Sequence, residues 1–158
     1  MTSKDAYWMD LARKTASASK CRSRQCGAVL VLDGVLISSG YNGPPRGYPH
    51  CTECPRRAQG YASGERLDLC PAAHAEANAI AQAARSGVSV KGSTMYLVGG
   101  VPPCKQCAGS IVNAGISEVI AESDHEYDQF SAEILRRGGV SARTYLSYSR
   151  HIGGLGEK

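Results

Sequence analysis

The 158-residue sequence is poor in aromatic side chains, in net charge and in long apolar runs. Phe, Trp and Tyr make up 6% of it, and the formal net charge is +4. A surface that binds single-stranded nucleic acid combines a basic groove with aromatic stacking platforms, so this composition argues against one. No apolar run is long enough to cross a bilayer, and the N-terminal segment lacks the apolar core of a signal peptide. We therefore expect a single cytoplasmic domain over residues 1–158, with neither a nucleic-acid nor a membrane partner.

Two short motifs carry the chemistry, H-A-E and, further along the chain, P-C-K-Q-C. Their candidate ligands are His74, Cys104 and Cys107, and one imidazole with two thiolates leaves the fourth position of a tetrahedral zinc open. The two cysteines are three residues apart, so both thiols share one face at the start of a helix. The partial positive charge of helix N-termini would help keep such thiolates ionised. Glu76, two residues after His74, is better placed as a proton carrier than as a fourth ligand.

Each motif has a plainer interpretation when taken alone. A lone histidine is more often a packed or solvated side chain, and one C-x-x-C can be a redox pair or half of a structural zinc site. Glu76 could be only a first-turn acid that interacts with the helix dipole. Two motifs in this order are more specific than either one, which favours a catalytic zinc.

Hydrophobic periodicity and turn residues predict alternating helices and strands. In chain order these are a helix over Asp5–Ser19, strands over Cys26–Leu32 and Val35–Tyr41, a helix over Ala73–Arg85, a strand over Ser93–Val98, a helix over Lys105–Ala114, a strand over Glu118–Glu122, a helix over Tyr127–Arg137 and a strand over Val140–Leu146. Asp33-Gly34 predicts a two-residue hairpin turn, and both apolar hairpin strands are expected to be covered on both faces. The order predicts an α/β fold, a three-layer αβα sandwich around a mixed five-stranded sheet with helices on both faces. The polar, Gly-rich tail, 147–158, is expected to be loose or to contact another subunit.

The segment 42–71 is punctuated by glycine and proline and shows no regular element. So long a stretch without an element is unusual inside a compact domain. It contains Cys51, Cys54 and Cys70, and a second metal ion could hold it in place. His50 is a weaker candidate ligand, because a histidine beside a proline is more often simply exposed. Seven cysteines in a chain that we expect not to be exported favour metal binding or catalysis over disulfides.

The motifs together resemble the deoxycytidylate (dCMP) deaminases of the cytidine deaminase-like superfamily, whose signature combines H-x-E with P-C-x-x-C. The matching stretches are G-A-V (27–29), S-G-Y-N-G (39–43), H-A-E-A-N-A-I (74–80), M-Y (95–96), P-C-K-Q-C (103–107) and N-A-G-I-S-E-V (113–119). They follow the family order over about three quarters of the chain. The resemblance implies the αβα sandwich, typically assembled as a homohexamer. It also implies the zinc-dependent hydrolysis of dCMP to dUMP and ammonia, which feeds thymidylate synthesis.

The resemblance also assigns roles to residues by position. His74, Cys104 and Cys107 would bind the catalytic zinc, and Glu76 would shuttle protons. Members of the family often carry a second, structural zinc, whose ligands here would be Cys21 and Cys51, which match recurring positions, with Cys54 and Cys70 completing the set. Cys26 stands where the family usually has valine, and we interpret it as a small buried hydrophobe.

Substrate contacts are expected before the H-A-E motif and within it. The resemblance implies that Asn42 hydrogen-bonds the sugar and that Ala75 contacts the substrate, although Asn-Gly could instead form only a turn. The phosphate needs cationic or N–H donors, and the candidates are Ser23, Arg24 and Arg46, each of which could equally be an ordinary surface residue.

Regulation is a further implication of the resemblance. Many family members are activated by dCTP and inhibited by dTTP, which makes both nucleotides, with Mg²⁺, candidate effectors. Arg85 matches a position linked to that response, whereas Gln82 replaces an aromatic residue found in some members.

Two other functions are compatible with zinc motifs. A tRNA or single-stranded DNA deaminase of the same superfamily would need a basic, aromatic-rich face, which the composition disfavours. A non-catalytic zinc-stabilised binding module would have no reason to keep Glu76 beside an open metal position.

Overall fold

The computed structural model describes residues 3–62, 64–124 and 128–145. Its elements, in chain order, are α1 (Ser3–Ala16), β1 (Gly27–Leu32), β2 (Val35–Tyr41), α2 (Pro55–Ala58), a 3₁₀ turn (Leu67–Leu69), α3 (Ala75–Arg85), β3 (Thr94–Val98), α4 (Lys105–Asn113), β4 (Glu118–Ala121), α5 (Ser131–Arg137) and β5 (Ser141–Thr144). No helix within the described ranges has both the length and the apolar character needed to cross a membrane.

The strands form one five-stranded sheet in the order β2-β1-β3-β4-β5. The strand β1 pairs antiparallel with β2 and with β3, whereas β3, β4 and β5 are parallel to one another. Asp33 and Gly34 adopt φ angles of 51° and 74°, the left-handed conformation that a two-residue turn needs. The predicted hairpin is therefore confirmed.

Helices cover both faces of the sheet, each over its own apolar cluster. On one face, α3, α4 and α5 contribute residues such as Ala79, Ile111 and Leu135 to a core with Leu30 and Met95. On the other face, α1 packs Met9, Ala12 and Ala16 against Val29, Tyr96 and Ile120. The predicted αβα sandwich with a mixed five-stranded sheet is confirmed.

The prediction that both hairpin strands are covered on both faces is right for β1 and wrong for β2. The strand β1 is buried along nearly its whole length. In contrast, β2 is an edge strand, and its Val35 and Leu36 are 60% and 41% exposed. Apolar composition alone could not separate a central strand from an edge strand.

Most predicted bounds agree with the structure to within about three residues. The helix α3 begins at Ala75 rather than Ala73, because Ala73 is engaged in a bridge to Gly43. Tyr127, Leu146 and the predicted tail, 147–158, lie outside the described residues.

The long irregular segment is closed at its base by two backbone hydrogen bonds. Gly43 N–H donates to the Ala73 carbonyl at 3.1 Å, and Ala73 N–H donates to the Gly43 carbonyl at 2.9 Å. We call residues 44–72 the cysteine loop. It contains α2 and the 3₁₀ turn, so it is less irregular than the sequence indicated.

Candidate metal centre and substrate pocket

Three metal-ligand side chains converge where two helices begin. His74 is the N-cap of α3, Cys104 is the N-cap of α4, and Cys107 lies in the first turn of α4. The His74 Nδ1 atom lies 3.5 Å from the Sγ atom of each cysteine. Both cysteines are 5% exposed. Within the described ranges, these three residues are the group whose donor atoms all lie within 4.8 Å of one another.

This spacing fits a tetrahedral zinc ion. Zinc–sulfur bonds of about 2.3 Å and zinc–nitrogen bonds of about 2.0–2.1 Å, at tetrahedral angles, separate the two donors by about 3.5 Å. The distances between the His74 ring nitrogen and the two sulfurs match that value. Two thiolates and one imidazole suit zinc, and three protein ligands leave one position open.

The electrostatics of the two thiols favour a first ionisation at Cys104. The Cys107 thiol donates to Cys104, and this hydrogen bond, against the effect of burial, lowers the pKa of Cys104. The same hydrogen bond, together with burial, raises the pKa of Cys107. The Cys107 backbone N–H also points at the Cys104 sulfur, at 3.5 Å. A thiolate at this position is therefore stabilised by the first turn of α4.

Glu76 lies in the first turn of α3, two residues after His74, and is 5% exposed. Burial raises the pKa of its carboxyl group, because the charged form loses solvation; its backbone hydrogen bond and the nearby His74 oppose that effect. A carboxyl group with a raised pKa can both accept and release a proton near neutral pH.

The strand β2 fixes the position of α3. A Cβ atom on Gly40 would lie 2.6 Å from the Ala75 carbonyl oxygen, so the helix packs directly against the strand backbone. Ser38 Oγ donates to the Ala79 carbonyl at 2.7 Å, and Asn78 Nδ2 donates to the Tyr41 carbonyl at 2.8 Å. The S-G-Y-N-G stretch therefore holds the helix that carries Glu76.

The connection into α5 holds the start of α4. Ser131 is buried, and its Oγ donates to the Pro103 carbonyl at 2.5 Å. The Asp128 carboxylate accepts from the Lys105 backbone N–H at 2.9 Å. These two contacts fix the backbone on either side of Cys104.

A cavity of about 280 Å³ opens beside the metal centre. Among the predicted site residues, its lining includes Cys21, Ser23, Arg24, Asn42, Cys70, His74, Ala75 and Glu76. Arg46 and Arg85 are not in this lining. The Nη2 atom of Arg46 instead donates to Gln82 Oε1, at 3.1 Å, and Arg85 lies in the last turn of α3.

Asn42 is already committed to the protein backbone on two sides. Its Oδ1 accepts from the Cys26 N–H at 2.8 Å, and its Nδ2 donates to the Arg24 carbonyl at 2.9 Å. An asparagine amide offers two donors and two acceptor lone pairs, so one of each remains. The predicted sugar contact stays compatible with the structure, and Asn42 also shapes the segment that carries Arg24.

The four cysteines predicted to hold a second zinc lie in one region without converging. No three of their sulfurs lie within 4.8 Å of one another. Burial and then the neighbouring thiols of Cys70, Cys21 and Cys54 raise the pKa of Cys51. Burial would likewise raise the pKa of Cys54, but the backbone N–H groups of the following arginines, at the start of α2, lower it below its usual value.

Two residues of the cavity wall were missed or only partly described by the sequence analysis. Cys26 is part of the lining, and burial raises the pKa of its thiol to about 11. Arg56, in α2, is 6% exposed and also lines the cavity. The replacement of the family's valine drew attention to Cys26, whereas Arg56 carried no comparable signal.

Comparisons with known proteins agree with this geometry. The family described as "Cytidine and deoxycytidylate deaminase zinc-binding region" matches residues 2–123. The chain is 38% identical over 144 residues to the deoxycytidylate deaminase of Schizosaccharomyces pombe, a match that covers 90% of this chain and 44% of that protein. It is 37% identical to the deoxycytidylate deaminase of Mycobacterium phage D29, over 73% of this chain and 91% of the phage protein.

A solved structure shows the same fold. The dCMP deaminase from the cyanophage S-TIM5, in complex with dCMP and dUMP, superposes with a TM-score of 0.74 at 27% identity, over 91% of this chain and 98% of that one. The chain spans less than half the length of the yeast relative. The matched family region, residues 2–123, contains the whole zinc motif and the strands β1 to β4, and the chain belongs to the cytidine and deoxycytidylate deaminase family.

Proposed function

We propose that this chain is a zinc-dependent deaminase that converts dCMP and water to dUMP and ammonia. The observation that carries the proposal is the His74–Cys104–Cys107 cluster with buried Glu76 in the wall of the same cavity. The dCMP deaminases among the relatives, including one solved with dCMP and dUMP, support the choice of substrate.

In this proposal His74, Cys104 and Cys107 hold the zinc ion. When bound, zinc supplies a Lewis acid that makes water nucleophilic near neutral pH. The Glu76 carboxylate accepts a proton from the attacking water and passes it to N3 of the cytosine ring. The water oxygen bonds to C4, and Glu76 then takes the proton of the resulting C4 hydroxyl group and delivers it to the amino nitrogen. The bond between C4 and that nitrogen breaks, the C4 carbonyl group forms, and ammonia leaves. One carboxyl group thus acts first as base and then as acid, a role that suits its raised pKa.

Asn42 and Ala75 are the proposed contacts for the nucleoside part of the substrate. The support is that both line the cavity and that Asn42 retains one free donor and one free acceptor position. Ser23 and Arg24 line the same cavity and remain proposed phosphate contacts. Arg46 is a weaker candidate, because its side chain pairs with Gln82.

We also propose a second, structural zinc bound by Cys21, Cys51, Cys54 and Cys70. The support is their shared region and the lowered pKa of Cys54, whose sulfur faces backbone N–H groups of α2. No three of these sulfurs lie within 4.8 Å of one another, so a shared ion would require the cysteine loop to bring them closer. Coupling of metal binding to local order is common for structural zinc sites.

The remaining expectations come from the resemblance or from the composition of the sequence. They are a homohexameric assembly, regulation by dCTP and dTTP with Mg²⁺ and with Arg85 involved, and a cytoplasmic location. Each stays a prediction for the protein, as does its description as a single domain.

An ammonia-release assay on the zinc-loaded protein tests the proposed function. The substrates are dCMP, deoxycytidine, dCTP and a cytosine-containing oligonucleotide, each with the Glu76→Gln variant as the blank. We expect turnover of dCMP well above that of the other three. Preferred turnover of the oligonucleotide would support a nucleic-acid deaminase instead, and no turnover of any substrate would support a binding module.

A further inference from the structure

The cysteine loop brings a buried cation to the wall of the substrate cavity. The Arg56 side chain is 6% exposed, and arginine is rarely buried so completely unless it is paired. Its Nη1 donates to the backbone carbonyls of Glu65, at 2.7 Å, and Ala62, at 3.4 Å. Among the described residues no carboxylate forms an ion pair with it. The protein therefore holds the guanidinium group in place without neutralising it.

One donor of this guanidinium group lacks a partner. The Nε atom is buried and has no hydrogen-bond acceptor within the part of the chain that the structure describes. In arginine, the Nε–H bond runs parallel to one N–H bond of Nη2, and this edge is the one that grips carboxylate or phosphate with two hydrogen bonds. The opposite side, Nη1, is the side fixed by backbone carbonyls. Buried polar groups are seldom left unpaired in this way, and an anion bound along this edge would satisfy the Nε donor.

The residues around Arg56 indicate the chemistry of that ligand. Ser23 and Arg24 line the same cavity, and the Nε atom of the neighbouring Arg57 lies 3.4 Å from Ser23 Oγ. A hydroxyl group and two guanidinium groups in one cavity wall favour a compact anion with several acceptor oxygens. A nucleoside monophosphate in this cavity carries one such group.

We propose that Arg56 binds the substrate phosphate and is a specificity residue for nucleotide over nucleoside. The proposal rests on the proposed function, and it adds a residue of the cysteine loop to the phosphate contacts expected from the sequence. The alternative is a purely structural role, in which Arg56 only holds the backbone at Ala62 and Glu65. The two roles differ in substrate dependence, because a structural defect impairs every substrate alike.

The test compares kcat/KM for dCMP and for deoxycytidine in the wild type, Arg56→Gln and Arg56→Lys. Arg66→Gln is the matched control, since Arg66 belongs to the same loop, is exposed, pairs with Asp68 and is outside the cavity lining. We expect Arg56→Gln to lower kcat/KM for dCMP about 10- to 100-fold, the usual worth of a hydrogen bond to a charged group. Turnover of deoxycytidine should change less than about threefold, and Arg66→Gln should leave the ratio of the two substrates unchanged.

Binding of the products provides a second readout that does not depend on turnover. Calorimetric titration with dUMP and deoxyuridine should show weaker binding of dUMP to Arg56→Gln and unchanged binding of deoxyuridine. Zinc content and thermal melting verify that each variant is folded. Where Arg56→Gln does not fold, Arg56→Lys tests whether Arg56 binds the phosphate. Lysine keeps the positive charge but cannot form two parallel hydrogen bonds to one phosphate group. A fall in its dCMP preference supports the proposal.

Equal losses on both substrates, or an unchanged preference in the folded variants, would overturn the role of Arg56. That result is distinct from failure of the proposed function, in which the wild type itself would not prefer dCMP. We expect the wild type to prefer dCMP over deoxycytidine and the Arg56→Gln variant to lose that preference.

Discussion

The two groups of candidate metal-ligand cysteines in this chain are positioned in different ways. Cys104 and Cys107 lie at the start of α4 and, with His74, already have the separations that a bound zinc requires. Cys51, Cys54 and Cys70 lie in the cysteine loop, and with Cys21 they reach no comparable geometry. The first group is fixed by helices packed on a sheet, whereas the second lies in segments with little core of their own.

This difference indicates which part of the molecule depends on metal for its order. A donor set held by packed helices should keep its arrangement when zinc is removed. A donor set in a loop gains its final arrangement from the metal, so metal binding there contributes to folding free energy.

The largest effect is expected at Glu76, inside the preorganised group. Glu76→Gln should lower kcat on dCMP by about 10²–10⁴-fold, because it removes the proton carrier and keeps the shape of the side chain. Zinc content and melting temperature should stay close to those of the wild type. Steady-state kinetics with elemental analysis measure both, and Glu133→Gln on the exposed side of α5 is the control. Near-normal turnover in Glu76→Gln would exclude this carboxyl group from the mechanism.

Loss of metal from the loop group should be selective. The wild type, purified without added metal, should contain about two zinc ions per chain, and Cys54→Ser should contain about one. Its cysteine loop should become sensitive to limited proteolysis, while the catalytic zinc is retained. Cys26→Ser is the matched control, since Cys26 is not among the expected ligands. A wild-type zinc content near one, unchanged in Cys54→Ser, would remove the second site.

A single added methyl group should disrupt the close packing of α3 against β2. In Gly40→Ala the new Cβ would meet the backbone at Ala75 and Ala79, and such overpacking usually costs about 1–3 kcal/mol. Gly43→Ala, three residues later, has open space around its Cβ and should cost far less. Urea denaturation of the two variants measures the difference. Equal stabilities would mean that close packing of α3 on β2 does not fix the first donor group.

The smallest effect is expected at Asp128. Asp128→Ala removes the carboxylate that accepts from the Lys105 N–H, and losses of helix-terminal acceptors of this kind cost about 0.5–2 kcal/mol. We expect a slightly lower melting temperature and faster release of zinc to a chelator. Ser131→Ala, at the other backbone contact of this turn, should act in the same direction. If neither variant changes the rate of zinc release, the start of α4 is held by the core alone.

The sequence alone predicted those parts of the fold and of the site whose geometry depends on the spacing of nearby residues. His74, Cys104 and Cys107 could be assigned because each is placed within one turn of a helix start, and the helices follow from periodicity. The hairpin turn at Asp33-Gly34 was predictable for the same local reason.

The parts that could not be predicted depend on contacts between distant segments. The burial of Arg56 depends on the carbonyl groups of Ala62 and Glu65, which no periodic pattern brings together. The two backbone hydrogen bonds of Asn42 likewise depend on how the segment before β1 lies beside the end of β2. The exposure of β2 follows from its place at the sheet edge, which sequence order does not reveal.

The pair of hydrogen bonds between Gly43 and Ala73 has a consequence for how the protein can diversify. It makes residues 44–72 a cassette whose two ends stay at fixed points whatever lies between them. Lengthening such a segment costs little, about 0.6 kcal/mol for each doubling. A replacement cassette could thus bring different anion-binding groups to the cavity, and the helices that hold Glu76 and the zinc ligands would not have to move.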